Sequence, residues 1–230
     1  MELSGTYRHE LKYRIGYSDY AALQKRLSAF MPRDVHAGAG GSYSVSSVYF
    51  DNYRDKALRE KLDGVQKREK FRIRWYNGDF SFIMLEKKLK HNSLCLKVDA
   101  PVTVREMRGI LSAPGPWMLE HPSELVRELY CKMKTQQLRP KVLVSYTREP
   151  YVYSPGNVRV TFDSDIRTSL FAQSFAVAQA AAPAVAASPG ECVMEVKFDA
   201  FLPAPVAALL QTGTFCQDAF SKYGVCRRFG

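Results

Sequence analysis

The chain has 230 residues, of which 46% are hydrophobic, enough material for a substantial core in one large domain or two small ones. Its 33 Lys and Arg against 23 Asp and Glu leave a net charge of +10, which points to an anionic partner: nucleic acid, a phosphorylated small molecule or an acidic membrane surface. Five cysteines, odd in number and without a CxxC pair, indicate neither a disulfide framework nor a zinc site, and no apolar run approaches the roughly 20 residues of a membrane span. With no basic-then-apolar leader at Met1-Glu2-Leu3-Ser4-Gly5, the expectation is a cytoplasmic protein with reduced thiols and no transmembrane segment.

Strand patterns dominate. Thr6 to Ile15 reads as a strand, and Ser18 caps a helix with Tyr20, Leu23, Leu27 and Phe30 on one stripe, ended by Pro32. Gly38-Ala39-Gly40-Gly41 reads as a loop, with no Gly-Lys-Ser/Thr after it to make a phosphate-binding loop. Val45 to Asp51, Arg68 to Tyr76 and Phe80 to Lys90 are strand candidates, the last two joined by an Asn77-Gly78-Asp79 turn. Thr103 and Glu106 form a capping box for a short helix, and Ser123 to Met133 is a second, amphipathic helix. Strands return at Lys141 to Glu149, Asn157 to Asp163 and Cys192 to Asp199. The Ala-rich stretch from Ala172 to Ala187 reads as a helical excursion or mobile loop, with an interdomain linker as the competing view. The expected fold is α+β, a single domain over residues 1–230 built on an antiparallel barrel.

Side chains alternate across a strand, so residues of one parity share a face. Arg8, Glu10, Lys12 and Arg14 oppose Tyr7, Leu11, Tyr13 and Ile15; Arg68, Lys70, Arg72 and Arg74 oppose Phe71, Ile73 and Trp75. Glu86, Lys88 and Lys90 oppose Ile83, Leu85 and Leu89. Arg159, Thr161 and Asp163 oppose Val158, Val160 and Phe162, and Glu195, Lys197 and Asp199 oppose Met194, Val196 and Phe198. For any one strand a solvated sheet face is the simpler explanation. Taken together, the apolar faces require cover, and the amphipathic helices provide it. Helices packed outside put the charged faces inside a closed barrel, a tunnel with a basic lumen. Such a lumen repels itself unless a multivalent anion and a metal offset it, and a polyphosphate chain suits that need.

Several motifs in order along the chain resemble the triphosphate tunnel metalloenzymes, and within them the VTC (vacuolar transporter chaperone) branch. Arg8-His9-Glu10-Leu11-Lys12-Tyr13 is similar to its opening E-x-K-Y, and Ser47-Val48-Tyr49-Phe50-Asp51-Asn52 to its S-x-Y-F-D-N strand. Lys61-Leu62-Asp63-Gly64 followed by Phe71-Arg72-Ile73-Arg74-Trp75-Tyr76 resembles the R/K-L…G…R-x-R-W-Y block. Leu85-Glu86-Lys87-Lys88, Tyr146-Thr147-Arg148, Arg159 to Asp165, Met194-Glu195-Val196-Lys197 and Ser221-Lys222-Tyr223 resemble its later strands and terminal S-K-[YF]. Arg8 stands where the wider superfamily carries a metal-binding Glu, and Lys61 where the polymerases often carry Arg.

The resemblance implies that Lys12, Arg72, Arg74, Lys88, Arg148, Arg159, Lys197 and Lys222, joined by Lys61, cradle a nucleotide triphosphate and a growing chain. It implies that Glu195 holds Mn2+ or Mg2+, with Glu10 and Glu86 as secondary candidates that could equally pair with neighbouring cations. The implied reaction transfers the γ-phosphoryl group of ATP to inorganic phosphate or polyphosphate, which needs positioning, charge neutralisation and a metal more than a protein nucleophile. His9, His36, His91 and His121 are scattered and carry no assigned chemistry. Two alternatives stand beside it: a triphosphatase or polyphosphatase on the same scaffold, and a non-enzymatic polyanion-binding module. No nucleic acid is expected, because Tyr7, Phe71, Trp75 and Phe198 fall on the apolar faces instead of among the bases of a stacking platform.

Overall fold

The structure is a computed structural model that describes residues 7–92, 94–169, 185–211 and 217–229. Its strands are β1 (Arg8–Ile15), β2 (Tyr43–Asp51), β3 (Lys67–Tyr76), β4 (Asp79–His91), β5 (Leu94–Val102), β6 (Arg139–Tyr153), β7 (Val158–Ser169), β8 (Val185–Ala186) and β9 (Cys192–Phe198). Hydrogen bonding runs β6-β2-β3-β4-β5-β1-β9-β7, and β7 pairs back onto β6, so eight antiparallel strands close into a ring. The short β8 adds to β7 beyond the stretch that β9 occupies. Closure leaves few exposed edges. It is uneven: between β1 and β5 only Arg8↔Cys95 and His9↔Leu94 pair, whereas β1 pairs with β9 from His9 to Ile15.

Helices α1 (Tyr17–Phe30), α2 (Lys56–Leu62), α3 (Val104–Ser112), α4 (Glu124–Thr135), α5 (Ala204–Leu210) and α6 (Lys222–Cys226) decide which sheet face is dry. Met107 and Ile110 of α3 and Leu125 and Leu129 of α4 cover Phe71, Ile73, Trp75 and Leu85 of β3 and β4. Leu23 and Leu27 of α1 and Val206 of α5 cover Val160, Phe162, Met194 and Val196 of β7 and β9. Each of these fully buried side chains contributes about 1.5–3 kcal/mol, and together they fix the apolar parity outward. The opposite parity is therefore the inside of the ring. Part of that inside is apolar as well: Val45, Val142, Val144 and Val193 share the inner face and are covered by Phe220, Tyr223 and Cys226. Phe220 and helix α6 thus plug one flank of the interior, and α6 carries Lys222 there. Among the described residues no helix is long and apolar enough to cross a membrane.

Several expectations hold in detail. Asn77 and Gly78 take φ values of 53° and 67°, the left-handed pair of a tight hairpin between β3 and β4. Thr103 Oγ1 accepts from Glu106 N at 3.2 Å and the Glu106 carboxylate accepts from Thr103 N at 2.7 Å, closing the capping box. Others differ. Helix α1 starts at Tyr17 with Gly16 as its N-cap, so Ser18 sits inside the first turn and does not cap it. Strands β6 and β7 run to Tyr153 and Ser169, beyond the expected ends. Of the Ala-rich stretch, residues 172–184 lie outside the described residues, and Val185–Ala186 form β8. Strand β5 has no counterpart among the expected strands; β1 reaches only its first residues, so Pro101 lies where β4 alone pairs with it.

Candidate active site in the barrel interior

The inward parity of β1, β3, β4, β6 and β9 converges on one chamber of about 40 Å3, which Tyr49 of β2 and Lys222 of α6 complete. Through Glu10, Lys12, Lys70 and Lys88 it is continuous with a vestibule of about 330 Å3, bounded by Lys61, Arg68, Lys90, Cys95 and residues 217–221. Among the described residues, eight cations line the inner chamber. Four carboxylates answer them, and each holds a defined set of partners.

Asp163, fully buried, takes the Arg148 guanidinium through two bonds of 2.7 Å and the Lys222 ammonium at 2.5 Å. Glu195 receives Lys222 at 2.8 Å and Lys12 at 3.4 Å on one oxygen, and Arg148 at 3.6 Å and Lys197 at 3.7 Å on the other. Burial opposes ionisation of Glu195, but these four cations outweigh it and hold its carboxyl well below the usual range. Glu86 accepts from Arg72 Nε at 2.7 Å and lies 3.6 Å from Arg74 Nη1; despite burial, the two guanidiniums hold its pKa down. Glu10 pairs with Lys88 and lies 3.3 Å from Lys12, whose ammonium is kept charged by Glu10 and Glu195 in spite of its burial. The carboxylates act as an inner scaffold that aims the cations and lowers the cost of assembling them.

The structure brings Lys12, Arg72, Arg74, Lys88, Arg148, Lys197, Lys222 and Glu195 together on this one chamber. Lys61, on α2, lines the vestibule instead. Arg159 lines neither space: it donates to the Tyr43 hydroxyl at 2.8 Å and pairs with Asp34 at 2.9 Å. Tyr43 also packs on Tyr76, so this group sits at the end of β3 far from the vestibule. Arg8 is tied to Asp199 at 2.8 Å and to the carbonyl of Asn157, so its charge is neutralised and lines neither space.

Four inner-face groups have no role assigned from the sequence. Tyr49 accepts from Arg72 Nη1 at 2.8 Å, and Tyr146 from Arg74 Nη2 at 3.3 Å. The Tyr146 ring also carries Lys222 Nζ at 4.8 Å and the Arg148 guanidinium at 5.2 Å from its centroid. Burial would raise the Tyr49 phenol, but Arg72, Lys70 and Arg74 bring it down to about 7. Lys70 and Asp163 are the other two. Parity places both on the charged faces; their partners, which come from distant strands, are what sequence spacing does not show.

Two carboxylates of the chamber could offer a divalent cation hard oxygen ligands. Glu10 and Glu195 project from neighbouring strands with Lys12 between them, at 3.3 and 3.4 Å. Among the described residues no three His, Cys, Asp or Glu side chains gather into a cage. That donor set fits a cation held by one or two carboxylates and completed by phosphate oxygens.

A closed antiparallel ring with helices outside and an ion-paired basic interior is the architecture of the triphosphate tunnel proteins. The sequence profile of the VTC domain matches residues 7–229, and the chain belongs to that family. The same fold recurs in HpAC1 from Hippeastrum, described as having a dominant triphosphatase activity, at 15% identity and a TM-score of 0.59 over 96% of each chain. It recurs in bh2851 from Bacillus halodurans, at 15% identity and a TM-score of 0.50 over 90% of this chain and 87% of that one. The PH1819 protein from Pyrococcus horikoshii shares it at 12% identity and a TM-score of 0.50, over 96% and 100% of the two chains. Comparison with curated proteins finds no match.

Proposed function

We propose that the protein is a metal-dependent polyphosphate polymerase that transfers the γ-phosphoryl group of ATP to a growing polyphosphate chain inside the barrel. The observation that carries this reading is the excess of cations over carboxylates in a chamber continuous with a large basic vestibule. A triphosphate offsets the inner excess, and a longer chain has a charged path outward. Arg72, Arg74, Arg148 and Lys197 orient the phosphates, Lys12 and Lys222 neutralise charge as it shifts to the leaving diphosphate, and Lys61 guides the chain at the vestibule. Glu195, with Glu10 beside it, would hold Mn2+ or Mg2+, which supplies Lewis-acid charge neutralisation at the phosphate oxygens when bound. Arg8, in place of a superfamily carboxylate, leaves fewer ligands for a second metal that could activate water, which favours transfer to phosphate.

Incubation of the purified protein with ATP, Mn2+ and a short polyphosphate primer, with products resolved by gel and by nucleotide analysis, tests the proposal. Long chains and ADP are expected. A second reading, triphosphatase, draws support from the activity described for the structurally similar Hippeastrum protein. Stoichiometric free phosphate without polymer would establish it in place of the polymerase.

A further inference from the structure

One cation of the inner chamber differs from the rest. Lys12, Lys88, Lys197 and Lys222 each have a carboxylate within ion-pair distance, and so do the three arginines. Lys70, two residues before Arg72 on the same face of β3, has none among the described residues; its ammonium sits 5.2 Å from the centroid of the Tyr49 ring. The neighbouring acids are committed elsewhere. Glu10 is engaged by Lys88 and Lys12, Glu69 by Lys132 and Lys87, and Asp51 by the Tyr223 hydroxyl and the first amides of α2.

Lys70 also borders both spaces, so a chain reaching from the inner chamber to the vestibule passes it. Beyond it Lys61, Arg68 and Lys90 likewise lack a carboxylate within ion-pair distance among the described residues, whereas Arg159 and Arg8, which line neither space, are neutralised by Asp34 and Asp199. Uncompensated positive charge therefore runs in one direction, from Lys70 outward.

We propose that Lys70 is the position at which a bound phosphate chain crosses from the inner chamber into the vestibule, and that chain binding there takes up a proton to form its ammonium. The inference rests on the lumen's binding of phosphate chains, as proposed above, and adds a residue and a proton to it. The charge environment supports it. Burial, with Lys88 and Lys12 facing it from β4 and β1 and Arg72 beside it, brings the Lys70 amine down to about 7 against the pull of Tyr49. A phosphate arriving between these cations supplies the missing anion and reverses that balance. The Tyr49 hydroxyl, held down by Arg72, Arg74 and Lys70 itself, is drawn back to its protonated form by the same phosphate.

The test is isothermal titration calorimetry with inorganic tripolyphosphate at pH 7.5, without metal, in two buffers of different ionisation enthalpy. It is run on Tyr49→Phe and on Tyr49→Phe/Lys70→Arg, so that the phenol contributes nothing and the ligand's own protons cancel. The arginine variant is expected to bind and to take up about one proton fewer, since arginine stays charged throughout. Equal proton counts overturn the proposal. A wild-type measurement guards against misfolding of the variants. With 13Cε-labelled lysine, the Lys70 resonance should move from the amine toward the ammonium position as tripolyphosphate is added at pH 7.5. A resonance already at the ammonium position in the free protein overturns it as well. Absence of tripolyphosphate binding to the wild type would overturn the phosphate-chain reading itself, and this inference with it; unequal affinities with equal proton counts would leave that reading standing and remove only this one.

Discussion

Replacing Asp163 by Asn should be the most damaging conservative change in the interior. Asp163 is fully buried and answers two buried cations, Arg148 through two 2.7 Å bonds and Lys222 at 2.5 Å. Asparagine keeps the shape and one acceptor oxygen but removes the charge, leaving those cations in a low-dielectric interior. Breaking a buried ion pair costs about 3–5 kcal/mol. Glu195 remains 2.8 Å from Lys222 and 3.6 Å from Arg148, which places the loss at the lower end, about 3 kcal/mol. For a chain of this size that is a fall in Tm of about 6–12 °C. Urea unfolding at pH 7, followed by the fluorescence of Trp75 and Trp117, measures it, with Asp165→Asn as a control. Asp165 pairs with Arg167 on the surface, so its loss should stay within about 0.5 kcal/mol. Tripolyphosphate should recover part of the Asp163→Asn loss by answering the freed cations. A penalty no larger than the control's would refute the claim that Asp163 scaffolds the cations in a dry interior.

Glu195→Gln should keep the wild-type far-UV spectrum and lose turnover at limiting Mn2+; full activity there would remove Glu195 as the principal ligand. Arg72→Ala and Arg74→Ala should each lower kcat/KM for the triphosphate substrate by about a hundredfold or more, and unaltered kinetics would place the phosphates elsewhere. Stability should also depend on pH in a particular direction. Lys70 and Tyr49 both titrate near 7 in the folded chain, below their unfolded values, so the unfolded chain binds more protons from there upward. The ligand-free protein should therefore gain stability from pH 6.5 to 8, less so in Lys70→Met, as Tm measurements across that range would show. Glu10, Glu86 and Glu195 are held below their unfolded values, so the stability they contribute is present above about pH 4.3 and is lost as the pH falls from there toward their folded values.

Parity along β3, β4 and β9 makes the interior legible in the sequence: a two-residue period assigns every side chain of a strand to one of two faces, and helical stripes say which face is covered. Lys12, Arg72, Arg74, Lys88, Arg148, Lys197, Lys222 and Glu195 follow from that pattern and from the family's motifs. Partner choice did not follow. Arg159 has the parity of Asp163 yet turns to Asp34, and Arg8 that of Lys12 yet turns to Asp199, because the ends of the strands bring in acids from loops whose approach no local spacing encodes. The capacity of Phe220 and α6 to plug the interior was equally hidden, since Phe220, Tyr223 and Cys226 find Val142, Val144 and Val193 only once the ring has closed. Lys70 was visible on its face, but what distinguishes it is the lack of an acid near it, and that emerges only from the folded arrangement of the other strands.

A crystal structure of the protein with tripolyphosphate and Mn2+ tests the central claim most directly. The phosphate oxygens should lie within hydrogen-bonding distance of Arg72, Arg74, Arg148 and Lys197, with the metal on Glu195 and one end of the ligand at Lys70. Tripolyphosphate bound on the outer surface, with the inner chamber's ion pairs unchanged, would contradict it.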